Sequence, residues 1–177
     1  SAYPREVTPM MVVNLASGGA AASVLARHQG VPLHIVDVGA ESYPDPTPSP
    51  GVTWRRVAVG GTVGDLIETD AMDAVACAGA MQAGAEAVDA LDPKTRVLIL
   101  GEMGIGNTTP AAAVSARILG ETGVAMAGPG TGVVGEALDR KRHLVQRALD
   151  RTAGTTNPLQ ILQRLGGREI AALVGAM

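Results

Sequence analysis

A short apolar run that ends in a glycine-rich turn constrains the fold of this chain more than any other feature. The run is VLIL at residues 97–100, the turn is GEMGIGNTT at residues 101–109, and Pro110 and three alanines follow. Such an apolar run is typical of a buried strand, and proline is favoured at the first position of a helix. The segment therefore predicts a strand, a turn and a helix in immediate succession.

The rest of the chain repeats this alternation. The apolar periodicity predicts strands at 33–38, 52–59, 96–100 and 124–127, and helices at 9–29, 70–91, 110–119, 135–153, 159–165 and from 168 onward. Four prolines in ESYPDPTPSPG exclude regular structure between the first two strands. Strands that alternate with helices predict one α/β core over residues 1–177, with a doubly wound, mostly parallel, Rossmann-like sheet.

Composition and charge indicate small-molecule partners. The chain has no Phe, one Trp, two Tyr and a formal net charge of −3, which argues against a surface for nucleic acid. The single Cys77 excludes an internal disulfide, and we expect no stretch of membrane-spanning length, so the predicted location is cytoplasmic. Residues His28, His34 and His143 show no metal-ligand spacing, and no metal site is predicted.

The glycine-rich turn has the features of an anion site. Ligands of parallel sheets bind beyond the carboxyl ends of the strands, where glycines expose N–H groups and a helix adds its positive end. The triphosphatase P-loop pattern fails because Asn107 replaces the lysine, and the dinucleotide pattern fails because its third glycine is missing. Glu102 either faces away from the anion or contacts another part of the ligand. The alternative is that these glycines only make a tight connection.

The string GEMGIGNTTPAAA closely resembles the nicotinate-nucleotide:dimethylbenzimidazole phosphoribosyltransferase family, which makes α-ribazole phosphate for the lower ligand of cobalamin. Three further stretches agree in order: SAYPREVTPMMVVN, GPGTG followed by Lys141, and NPLQILQRLGGREIAALVGAM. The resemblance covers nearly the whole chain. It implies a member that is incomplete at both ends, without the C-terminal part of the family fold.

The resemblance implies transfer of phosphoribosyl from nicotinate mononucleotide to dimethylbenzimidazole, without a cofactor. It also implies a homodimer. The general base of the family is a glutamate downstream of the segment matched by REIAALVGAM, and we expect this chain to end before it. The alternative is therefore a module that binds the nucleotide or the benzimidazole without turning it over.

The resemblance also assigns roles to individual residues. Glu102 matches the glutamate that positions the ribose or the incoming base. The matches to the phosphate site and its adjoining loop are Gly104, Ile105, Gly106, Asn107, Thr108, Gly130, Thr131, Gly132 and Lys141. The matches to the benzimidazole wall are Ser1, Tyr3, Pro4 and Met10.

Two positions depart from the family pattern. Met10 stands where the family generally has a glutamine, and a thioether packs on a ring but cannot hydrogen-bond as an amide does. Residues 60–70 replace an asparagine-bearing loop of the family. Without the resemblance, the pattern LDRKRH around Lys141 is typical of a solvated helix face.

Overall fold

The computed structural model describes residues 3–177, which contain a parallel pair of strands and eight helices. Strand β1 (Leu33–Asp37) pairs with β2 (Val52–Arg56), and Leu33 lies opposite Val52. Parallel strands need a crossover connection, and the proline-rich segment supplies it here without regular structure. The predicted α/β class is therefore confirmed, and the first two predicted strands are present in the described residues.

The helices account for most of the remaining chain. They are α1 (Val7–Ala16), α2 (Ala21–Gln29), α3 (Ala74–Asp89), α4 (Thr108–Leu119), α5 (Gly123–Met126), α6 (Glu136–Arg151), α7 (Pro158–Leu165) and α8 (Arg168–Ala176). Helix α3 begins later than predicted because the Asp73 side chain accepts the N–H of Ala76 at 2.7 Å and caps the helix. The predictions for α4, α6, α7 and α8 are confirmed, with shifted boundaries.

The prediction of one helix over residues 9–29 is wrong. Gly18 adopts a φ of +84° and Ala20 is extended, so the segment divides into α1 and α2. The loop that joins the two strands packs against this break, where the N–H of Ser49 donates to the carbonyl of Ala16 at 2.8 Å. A Cβ at Gly18 would lie 2.7 Å from the Ser49 hydroxyl, so this close approach requires glycine.

The same segment corrects the expectation about membrane spans. By length and composition alone, the stretch Val7–Gln29 could cross a membrane. A span needs about 20 consecutive apolar residues in one helix. Here the break leaves helices of 10 and 9 residues, so the segment is weak evidence for a membrane.

Two predicted strands are wrong. Residues 96–100 form no ladder with any described strand, and the side chains of Val97 and Ile99 are 78% and 85% exposed. A strand exists only when a neighbour accepts and donates its backbone hydrogen bonds. Residues 124–127 fall in α5 and its C-cap because the hydroxyl of Thr122 accepts the N–H of Ala125 at 3.2 Å and starts a helical turn.

The core is rich in alanine and also contains larger aliphatic side chains, such as Met72, Val145 and Leu165. Fully buried alanines with no exposed surface include Ala76, Ala80, Ala113, Ala116 and Ala148. Helices α3 and α8 approach through glycine, because a Cβ on Gly84 would lie 1.9 Å from the carbonyl oxygen of Ala172. A Cβ on Gly175 would lie 1.9 Å from the carbonyl oxygen of Met81. This backbone contact holds α8 against α3.

Candidate functional site

The glycine-rich turn occupies its predicted place directly before α4, although no described strand precedes it. The N–H of Asn107 donates to the carbonyl of Gly104 at 2.9 Å, and the N–H of Thr109 donates to the carbonyl of Gly106 at 3.0 Å. Gly106 has a φ of +95°, a conformation that residues with a Cβ rarely adopt. The turn thus brings Asn107 to the N-cap position of α4.

Helix α4 begins without the usual side-chain cap. Asn107 makes no side-chain bond to the first turn, and that turn contains no acidic residue. The Asn107 Nδ2 donates instead to Oε1 of Glu169, at 2.7 Å. The partial positive charge at the start of α4 is therefore not neutralised by its own first turn, which favours a bound anion.

Lys141 reaches this helix start from α6. Its Nζ donates to Oγ1 of Thr108 at 2.7 Å and to the carbonyl of Gly128 at 2.9 Å. A Cβ on Gly130 would lie 2.8 Å from Thr108 Oγ1 and 3.2 Å from Lys141 Nζ, so glycine permits this approach. Partial desolvation lowers the pKa of Lys141 from its usual value. Lys141 therefore does not only lie on a solvated helix face, because its ammonium group binds Thr108 and the Gly128 carbonyl.

Tyr3 joins the N-terminal segment to the loop at residues 128–132. Its hydroxyl lies 3.1 Å from Oγ1 of Thr131. The next loop residue, Gly132, has a φ of +112° and leaves open space around it. Tyr3 therefore connects the segment predicted to bind the aromatic base to the loop predicted to shape the phosphate site.

A cavity of about 220 Å³ adjoins Tyr3 and Pro4. It is lined by Tyr3, Pro4, Arg5, Thr8, Pro9, Gly39, Ala40, Glu41 and Ile105. The N–H of Ile105 donates to Oγ1 of Thr8 at 3.2 Å, which links the cavity wall to the glycine-rich turn. Ser1, predicted for the same wall, lies outside the described residues.

Met10 lies outside this cavity. It is 67% exposed and faces a neighbouring hollow, which shares only Pro9 and Glu41 with the first. The prediction placed Met10 beside Tyr3 and Pro4, and the structure separates them into two adjoining depressions. Tyr3 and Pro4 precede α1, whereas Met10 lies within it. Along α1, Thr8 lines the cavity, and Met10 and Val13 line the hollow.

Glu169 is the residue that the sequence did not indicate. A Cβ on Gly104 would lie 3.7 Å from Oε2 of Glu102 and 3.7 Å from Oε1 of Glu169, so the two carboxyl groups flank this glycine. Partial desolvation of Glu102, together with the negative charge of Glu169, raises the pKa of Glu102. Only the chain path that brings α8 to the turn places Glu169 here, and no spacing in the sequence indicates it.

Asp37 supports the wall that the two depressions share. Its carboxylate accepts the N–H groups of Gly39 and Ala40 at 2.9 and 2.8 Å and the hydroxyl of Tyr43 at 2.5 Å. Burial alone raises the pKa of Asp37, but these bonds and the Arg56 guanidinium 3.4 Å away lower it overall. Asp37 is the last residue of β1, and its hydrogen bonds brace the loop that follows.

The titratable groups elsewhere offer no competing centre within residues 3–177. No three described His, Cys, Asp or Glu side chains group as a metal site. Cys77 is buried, as a small hydrophobe in α3 is expected to be, and burial raises the pKa of its thiol. The arrangement around α4 is suited to hold a phosphate monoester next to the cavity beside Tyr3.

Comparison with known proteins identifies the family. A family model described as phosphoribosyltransferase matches residues 1–177. Nicotinate-nucleotide–dimethylbenzimidazole phosphoribosyltransferases from Xanthomonas euvesicatoria pv. vesicatoria and Pseudomonas aeruginosa are 44% and 43% identical over 99% of this chain. The homologue from Methylorubrum extorquens is 44% identical over 100% of it. The chain belongs to this phosphoribosyltransferase family.

Solved structures of the family share the fold. CobT from Thermus thermophilus is 40% identical, with a TM-score of 0.86 over 99% of this chain and 52% of that one. A structure titled as the nicotinate-nucleotide-dimethylbenzimidazole phosphoribosyltransferase of the same organism is 38% identical, with a TM-score of 0.83 over 99% of this chain and 51% of that one. The chain spans about half the length of the curated relatives it matches, 50% of the Xanthomonas protein and 46% of the Methylorubrum one.

Proposed function

We propose that this chain takes part in the transfer of phosphoribosyl from nicotinate mononucleotide to dimethylbenzimidazole, which yields α-ribazole phosphate and nicotinate. The observation that carries the proposal is the junction of Lys141 and Thr108 at the uncapped start of α4. Family membership supplies the substrate class, because the relatives are named for these two substrates.

The phosphate of the nucleotide fits the start of α4. Lys141 supplies a cation, Thr108 a hydroxyl, and the first turn of the helix its partial positive charge. In the structure Lys141 uses Thr108 and the Gly128 carbonyl as partners. A phosphate oxygen is a stronger acceptor for the same ammonium, so it would take over one of these bonds.

The ribose and the incoming base belong on the side of Glu102. Desolvation and the neighbouring Glu169 raise the pKa of Glu102, so it holds a proton to higher pH than an ordinary glutamate. Placing the benzimidazole in the cavity beside Tyr3 and Pro4 puts an aromatic ring against the Tyr and Pro rings. Met10 would then influence the base from the adjoining hollow rather than by direct contact.

The reaction breaks the bond between C1′ and the pyridine nitrogen of nicotinate, whose ring takes the electron pair and leaves neutral at that nitrogen. The unprotonated nitrogen of the benzimidazole forms the new bond to C1′ from the opposite face. Its other ring nitrogen gives up a proton to a base. By the resemblance, that base is a downstream glutamate outside the matched positions, and this chain contributes binding and orientation.

The alternative is a module that binds nucleotide or benzimidazole without turnover. Incubation of the protein with both substrates distinguishes the transferase from the binding module, because saturable nucleotide binding without formation of α-ribazole phosphate supports the module. Loss of a positioned base lowers a rate by about two to four powers of ten, which a product assay with a long time course resolves. No nucleotide binding at all would reject both functions.

The lysine contact can be tested directly. Lys141→Ala should weaken the binding of nicotinate mononucleotide at least about tenfold in calorimetry, because a hydrogen bond to a charged group contributes about 1.5–3 kcal/mol. Lys94→Ala, which removes the same charge from an exposed turn, should leave the affinity unchanged. Equal affinities for the two variants would remove the basis of the proposal.

We also propose that the protein is a cytoplasmic homodimer, as the resemblance implies. Light scattering coupled to size-exclusion chromatography measures the oligomeric state, and cell fractionation shows where the protein lies in the cell. A monomer at micromolar concentration would contradict the first proposal.

A further inference from the structure

The loop at residues 128–132 carries a contact for each of the two proposed substrate sites. At its start, the carbonyl of Gly128 accepts a hydrogen bond from Nζ of Lys141 at 2.9 Å. Further along the loop, Oγ1 of Thr131 lies 3.1 Å from the hydroxyl of Tyr3, whose ring lines the cavity. One short segment therefore contacts both the lysine of the phosphate site and the tyrosine of the cavity wall.

The Tyr3 side of this contact is not held by secondary structure. Tyr3 precedes α1, which begins at Val7, and it is 44% exposed. By contrast, two other residues of the same cavity are fixed to each other, because the N–H of Ile105 donates to Oγ1 of Thr8. The position of the Tyr3 ring thus depends on the partners of its side chain.

The Thr131 side of the contact is held by its own loop. The N–H of Gly132 donates to the carbonyl of Pro129 at 3.2 Å and closes a turn that contains Thr131. Lys141, from α6, fixes the start of the same loop. The bond therefore fastens Tyr3 to a braced loop.

Neighbouring residues of the loop face the two sites. A Cβ on Gly130 would lie 2.8 Å from Oγ1 of Thr108 and 3.2 Å from Nζ of Lys141, so Gly130 adjoins the phosphate contacts. The next residue, Thr131, turns its hydroxyl to Tyr3 instead. The loop thus divides its contacts between the phosphate site and the cavity.

We propose that Thr131 is a positioning residue for the incoming base, where its hydroxyl fixes the ring of Tyr3 in the cavity wall. This inference rests on the proposed function, which places the benzimidazole in that cavity. It gives Thr131 a different role from the one that the resemblance implies, because the resemblance assigns Thr131 to the loop of the phosphate site.

The test compares affinity for dimethylbenzimidazole with affinity for nicotinate mononucleotide, each measured by calorimetry. Thr131→Val keeps the shape of the side chain without its hydroxyl. It should weaken binding of the base about threefold, because an exposed neutral hydrogen bond contributes little, and leave nucleotide binding unchanged. Thr131→Ser keeps the hydroxyl and should bind both as wild type does. Thr95→Val, the same change in an exposed loop, is the matched control.

A double-mutant cycle identifies the partner of Thr131. Tyr3→Phe removes the other hydroxyl and should weaken binding of dimethylbenzimidazole as much as Thr131→Val does. The combined variant should bind no more weakly than either single variant, because each change removes the same bond. Additive losses would show that the two hydroxyls act separately and would overturn the inference.

The proposed function and the role of Thr131 fail in different ways. If wild type binds neither substrate, the proposed function fails and this inference fails with it. If wild type binds both and Thr131→Val weakens only nucleotide binding, or neither, then only the role of Thr131 is refuted. A wild type that binds the nucleotide but not dimethylbenzimidazole also refutes that role, while the phosphate site stands.

Discussion

Replacing Gly84 with alanine tests whether backbone contact between α3 and α8 holds the C-terminal helix in place. The added Cβ would lie 1.9 Å from the carbonyl oxygen of Ala172, whereas real Cβ atoms essentially never come within 3.0 Å of such an atom. The difference between 3.0 and 1.9 Å means that the two backbones must separate by at least about 1.1 Å at this point. The obstacle is a backbone atom, so a rotamer change cannot relieve it.

The expected cost follows from two opposing effects. Overpacking of this kind costs about 1–3 kcal/mol, and the rigid obstacle favours the upper end. Alanine in place of a helical glycine returns about 1 kcal/mol. We therefore expect G84A to lose about 2 kcal/mol of unfolding free energy, or about 4–8 °C in Tm for a chain of this size.

Gly79 on the same helix provides the control. A Cβ there meets only a methyl of Val59, at 3.3 Å, so G79A should gain helix propensity with little strain. Urea unfolding followed by circular dichroism measures both variants, and G84A should be less stable than G79A by about 1–3 kcal/mol. Equal stability of the two variants would refute the close helix contact.

Three further predictions concern charges and caps. The pKa of Glu102 is raised in the folded protein, so ionisation of this carboxyl as the pH rises lowers the stability of the wild type. E102Q cannot ionise and should therefore have a higher Tm than wild type at pH 7–8. Below about pH 4.5 the two Tm values should match. D70N should lower stability by ~1 kcal/mol or less at neutral pH, since its two arginine partners are partly exposed. Because the pKa of Asp70 is lowered in the folded protein, this loss should begin to shrink as the pH falls to about 3.8 and should vanish only below that lowered pKa. N157A should cost about 1 kcal/mol through the lost cap and leave nucleotide affinity unchanged. Melting curves against pH check the first two, and denaturant unfolding with calorimetry checks the third.

Helix starts were predictable where a local hydrogen bond decides them. Helix α7 begins at Pro158, one residue before its predicted start at 159, and the Asn157 cap that decides this start needs only residues that are neighbours in sequence. The helix over residues 9–29 was not predictable to the same degree, because its break depends on Ser49, in a distant loop that packs on Gly18. The residues at the break are Ser17, Gly18 and Gly19, which permit an interruption of the helix but do not require one.

The candidate site also has features that were predictable from the sequence and features that were not. The turn before α4 was predicted from its motif, and a phosphate-binding role for Lys141 was predicted from the resemblance. The structure brings Lys141 to Thr108, and the role itself stays a prediction. Glu169 could not be found, because its bond to Asn107 joins residues 62 positions apart. Met10, predicted together with Tyr3 for the benzimidazole wall, lines the adjoining hollow, and its role there stays a prediction.

The fold class, a core without phenylalanine, the turn that precedes α4 and the family were predictable from the amino-acid sequence. The structural features among these depend on periodicity, composition and local backbone preferences, which act between near neighbours. Whether the apolar run at 97–100 becomes a strand, and which partner the Asn107 amide takes, depended on long-range contacts. Both need a group from a distant part of the chain, since a ladder requires a second strand and a side-chain hydrogen bond requires a second side chain within about 3 Å.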